Sequence, residues 1–80
     1  MLLDAWLRRT GTTEIQLAEE AGVDRASINR LRHEARPSGL GLALKIEQAT
    51  KGEVRAEELH LSGSARQSLR LLREDTGAAA

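Results

Sequence analysis

In TEIQLAEEAGVDRASINRLR, residues 13–32, a glycine interrupts what would otherwise be one amphipathic helix. Thr13-Glu14-Ile15-Gln16 has the pattern of a capping box, in which the Thr13 hydroxyl takes an orphan amide while Gln16 reaches back. A helix therefore starts there, turns Leu17, Ala18 and Ala21 toward a core, and stops near Gly22, where a left-handed backbone costs little. Asp24 is a strong N-cap, and Val23 and Ile28 stand at the two positions of a hydrophobic staple, so a second helix restarts at once. Ile28 and Leu31 face inward with Leu17 across the glycine turn. At about 100° per residue the outward face holds Ala26, Asn29, Arg30 and His33, with Arg25 near the exposed start.

The rest of the chain sets the limits on this pair. Eighty residues allow one domain, and 40% hydrophobic residues with one Trp and no Phe or Tyr mean a core of Leu, Ile, Val and Ala. Two Val and three Ile, scattered apart, do not make strands. The fold class expected is all-α. Without cysteine there is no disulfide framework and no thiolate chemistry, which fits a reducing compartment. Asp4 follows Met1-Leu2-Leu3 directly, so the start does not read as a secretory signal, and no run approaches the roughly 20 apolar residues of a membrane span. A cytoplasmic protein with no membrane partner is expected.

Twelve Lys and Arg balance twelve Asp and Glu, so no overall basic field draws the chain to nucleic acid. The distribution is uneven. Between Arg25 and Arg36 four Arg stand against the single acid Glu34, whereas Lys45 to His60 holds three bases and four acids.

Upstream, Leu2 with Trp6 and Leu3 with Leu7 are each four apart and predict a first helix closed by Gly11. Downstream, Pro37 turns the chain and a fourth helix is expected from Ser38 to Thr50, with Leu42, Ala43, Ile46 and Ala49 buried and Gly52 ending it. VRAEELHL, residues 54–61, reads as a short fifth helix anchored by Val54 and Leu59. Ser62-Gly63-Ser64 looks like a linker. Beyond it Ala65, Leu69 and Leu72 recur at helical spacing, predicting a sixth helix that needs a partner surface: a second copy, its own domain, or none if the segment is disordered.

Residues 13–32 resemble the helix-turn-helix of phage-repressor-type proteins, the Cro and cI-like group, through Ala18, Gly22, Val23, Ile28 and Leu31. RPSGLGLALKIEQATKGEVRAEEL, residues 36–59, is similar to the later helices of small Cro-like and YdaS-like regulators. The resemblance implies a compact five-helix, lambda-repressor-like domain over residues 1–61; residues 62–80, outside it, read from composition and spacing as linker, candidate sixth helix and frayed end. It implies that Arg25, Ala26, Asn29 and Arg30 present themselves to base edges in the major groove. Thr13, Gln16, Ser27, Arg32 and Arg36 would lie along the DNA backbone. The chemistry agrees, since Arg grips guanine through two acceptors, Asn pairs with adenine, and Ala touches a thymine methyl. Two acids depart from the family pattern: Glu14, where the family often has Gln beside a phosphate, and Glu34 after the reading helix.

The function expected is a sequence-specific double-stranded DNA-binding transcriptional regulator, a repressor, binding an inverted-repeat operator as a homodimer. The other reading is a protein-interaction module such as an antitoxin or adaptor, gripping a protein partner through residues 62–80. Catalysis has little to build on. His33 and His60 are the only histidines, nothing orients either toward a nucleophile, and no zinc spacing or phosphate loop is present, so no catalytic residue, metal or cofactor is expected.

Overall fold

Helix α1 (Leu3–Thr10) begins from an extended Leu2, carries Asp4 in its first turn and Arg8 and Arg9 in its last, and so complements its own dipole. It buries Leu3, Trp6 and Leu7 and ends at Gly11, whose φ of 70° is left-handed. Leu2, expected beside Trp6, is exposed instead. These features come from a computed structural model describing the backbone of residues 1–78 and the side chains of residues 1–74.

Helices α2 (Glu14–Ala21) and α3 (Arg25–Arg32) follow the expected plan. Both halves of the capping box are formed, with Gln16 N donating to Thr13 Oγ1 at 3.1 Å and Thr13 N donating to Gln16 Oε1 at 2.9 Å. Gly22 sits at φ 70°, and the Val23 amide reaches back to the Ala18 carbonyl at 3.0 Å, closing α2 in a Schellman turn. Asp24 takes the extended conformation of an N-cap, but its carboxylate makes no cap bond; its carbonyl accepts from Ser27 and Ile28. Ile28 is fully buried and Leu31 nearly so.

Helix α4 (Leu40–Ala49) starts two residues later than expected. Ser38 is withheld from it by a clip: its amide donates to the His60 carbonyl at 2.8 Å, and the Ser62 amide donates to the Ser38 carbonyl at 3.0 Å. This parallel bridge between Ser38 and Leu61 ties the loop before α4 to the segment before the last helix. Ala43 and Ile46 are buried, with Leu42 and Ala49 partly so. The buried Thr50 closes α4 by donating to the Ile46 carbonyl at 2.9 Å and accepting from the Val54 amide at 3.1 Å.

The expected fifth helix is reduced to a single 3-10 turn, Ala56–Glu58. Val54, Ala56, Leu59 and Leu61 are all buried, and that spacing of two, three and two fits no helical stripe, so extended residues flank the turn. The chain then enters α5 (Gly63–Ala78), the fifth α-helix and the one expected as a sixth. Ser62 is its cap rather than part of a linker, its Oγ accepting from the Ala65 amide at 3.2 Å. Ala65 and Leu69 are buried in the same core as Leu17, Ile28 and Ile46, so the division after residue 61 does not hold. Leu72, expected inward as well, is 40% exposed. The protein is all-helical, with five α-helices and no strand among the described residues. No helix there is long and apolar enough to cross a membrane.

Candidate nucleic-acid interface

Packing fixes which way α3 looks. With Ile28 and Leu31 held inside, Arg25, Ala26, Asn29, Arg30 and His33 are exposed on its far side, and Ser27 is half-buried at its edge. All four residues expected at base edges therefore share one accessible face. Arg30 donates to Ser27 Oγ at 3.3 Å, an i−3 contact that steadies the guanidinium along the helix. Among the described residues neither Arg30 nor Arg36 has a carboxylate within ion-pair distance. Between α3 and the start of α4 these two arginines edge an open recess of about 330 Å³, with Ser27 and Gly39 in its wall.

Three other side chains of α3 are held differently. Glu14, the first residue of α2, has a side chain only 11% exposed and collects three partners. Arg32 donates to Glu14 Oε2 at 3.2 Å, Asn29 Nδ2 lies 3.3 Å from the same oxygen, and Arg25 Nε stands 3.6 Å from Oε1. Arg32 also donates through Nε to Asp4 Oδ1 at 2.5 Å. One guanidinium thus bridges α1 and α2 from the end of α3. Burial pushes the Glu14 carboxyl up, but the bonds from Arg32 and Asn29 and the charges of Arg32 and Arg25 outweigh it, and the group is held below the ordinary carboxylate range. The Arg32 bond lowers Asp4 in the same way, and both acids raise Arg32.

This geometry revises the expectation for Arg32. A side chain held between two carboxylates and three-quarters covered is a brace between helices, its charge already matched by Asp4 and Glu14. Thr13 and Gln16 keep their place at the start of α2, but each spends one polar group on the other. Among the described residues nothing takes the Thr13 hydroxyl hydrogen or the Gln16 amide nitrogen, which are left for an outside partner. Ser27 and Arg36 remain beside the recess. Glu34 lies in the loop after α3 at φ 52°, where its amide donates to Leu31 and that of Ala35 to Arg30, closing the helix as glycine usually does.

The brace was not legible in the sequence. Asp4 and Arg32 are 28 positions apart, and no motif links them. Comparison with protein-family models, with curated proteins and with solved structures finds no match to this chain.

Proposed function

We propose that this chain is a sequence-specific double-stranded DNA-binding transcriptional regulator, acting as a repressor by occupying an operator. In this reading α3 enters the major groove, Arg25, Ala26, Asn29 and Arg30 meet base edges, and Ser27, Arg36 and the start of α2 meet the backbone. One observation carries it: the accessible face of α3 holds side chains suited to guanine, adenine and thymine, and among the described residues Arg30 on that face and Arg36 beside it have no carboxylate within ion-pair distance. The helix-turn-helix resemblance of residues 13–32 adds to it. A single short reading helix on a chain of zero net charge gives little affinity, so two copies on adjoining half-sites are proposed.

Selection from a random duplex DNA pool at low and moderate salt tests the proposal. The expected result is an enriched inverted repeat with half-site centres about 10 base pairs apart. Arg30→Ala should then weaken binding to the selected site by roughly 5- to 150-fold, the loss of one bidentate base contact, with helicity unchanged because Arg30 is exposed. Retention that vanishes with salt and enriches no sequence would replace DNA reading by phosphate attraction alone and turn attention to the protein-interaction reading.

A further inference from the structure

The acid at the start of α2 raises a problem for a DNA reader. A carboxylate there opposes phosphate, and the repulsion applies to every sequence alike. Yet Glu14 is not an idle surface charge: it is mostly covered and touches Asn29, Arg32 and Arg25 together. Two of the four side chains offered to bases are therefore tethered to it, while Ala26 and Arg30 are not.

The chemistry of the Asn29 contact defines what the tether does. An ionised carboxylate only accepts hydrogen bonds, so it selects the amide orientation with Nδ2 toward Glu14 and Oδ1 away from it. The Nδ2 group carries two hydrogens, and Glu14 needs one. The remaining hydrogen and Oδ1 form a donor and acceptor pair, the pair that adenine N7 and its N6 amino group require. Without the carboxylate both amide orientations are open, and the reversed one offers that base the wrong pattern. Arg32, locked to Asp4 on its other side, keeps Glu14 from following Asn29 outward.

We propose that Glu14 is a positioning residue for base readout: holding the Asn29 amide, it sets an adenine preference at one position of each half-site, while its charge lowers affinity for every sequence. The inference rests on the DNA-reading function proposed above. It separates two effects that a single affinity would merge, because orientation acts on one base and charge on all of them.

The test uses the full chain, with Glu14→Ala, Glu14→Gln, Asn29→Ala and the double variant Glu14→Ala/Asn29→Ala. Glu19→Gln, exposed at the far end of α2, removes one negative charge as a control. Each is first checked for helicity and melting, then measured on the selected site and on that site with the adenine replaced. Asn29→Ala should cut the adenine preference by roughly 5- to 150-fold, Glu14→Ala should cut it in the same direction by less, and the double variant should lose no more than Asn29→Ala. Glu14→Gln keeps an acceptor oxygen and should keep the preference, binding all sequences more tightly than the Glu19→Gln control does. Should Glu14→Ala fail to fold, the Glu14→Gln pattern carries the test. The positioning role is overturned if Glu14→Ala retains the full adenine preference, if its loss adds to that of Asn29→Ala, or if Glu14→Gln loses the preference too. A wild-type chain that enriches no sequence would instead remove the DNA reading itself.

Discussion

At Gly22 the backbone sits at φ +70°, and a Cβ built there meets nothing within 4 Å, so any side chain is charged only for conformation. Gly41, in the first turn of α4, has equally open space around it and no left-handed angle. The two glycines therefore predict opposite signs. Gly22→Ala should destabilise by about 1–2 kcal/mol, the cost of a left-handed L-residue, whereas Gly41→Ala should stabilise by about 0.5 kcal/mol through helix propensity and a less flexible unfolded chain. Thermal melts of the two variants check this, and a stabilising Gly22→Ala would refute the tight turn between α2 and α3. The turn matters for the proposed function because it sets the angle at which Arg30 and Asn29 leave the domain.

Among the elements, α2 and α3 were readable in advance because their signals are local: a capping box spanning four residues, a glycine at the turn and an apolar pair three apart. The outward face of α3 followed from the same periodicity. The last helix was read only halfway. Its stripe of Ala65 and Leu69 was visible, but Ser62-Gly63-Ser64 has the composition of a linker, and nothing nearby shows that the Ser62 amide bonds Ser38 or that Arg73 grips Glu47 and Glu57. Those partners are distant in sequence, as Asp4 is from Arg32, and pattern reading has no access to them. The consequence is measurable. Leu69 is 2% exposed, so Leu69→Ala should cost about 2–4 kcal/mol, which in a domain of this size lowers Tm by about 10 °C or more. Truncation after Leu61 should abolish cooperative unfolding, since it uncovers the core and removes the Arg73 ties. If the truncated chain instead melts as the full one does, α5 is an accessory to the fold rather than a part of it.

Over the whole molecule, the zero net charge conceals an arrangement in which carboxylates sit where helices meet. Asp4 and Glu14 join α1 and α2 to Arg32 of α3, Glu53 takes the Trp6 indole and Arg9 of α1, and Glu47 and Glu57 take Arg73 of α5. Each of these acids is held below the ordinary range, Glu57 furthest, from 4.5 to about 2, chiefly by its bonds from Arg73. The sign of the pH effect follows. A carboxyl whose pKa is depressed by folding adds stability above its unfolded value and loses it as pH falls toward the folded value, because the unfolded chain then binds more protons. Tm should therefore be level from neutral pH to about 5 and should drop between about 4.5 and 2. Glu57→Gln isolates one tie: its Tm should lie below wild type at pH 6, fall less steeply on acidification, and meet the wild-type curve only below pH 2, once Glu57 is protonated in the folded chain as well. Added salt should narrow the gap at pH 6, because the Glu57 side chain is 43% exposed and the pair is screened. Parallel melting curves for the two proteins across that range would show that Arg73 does not hold α5 through Glu57, leaving that to Glu47 and to the apolar packing of Ala65 and Leu69.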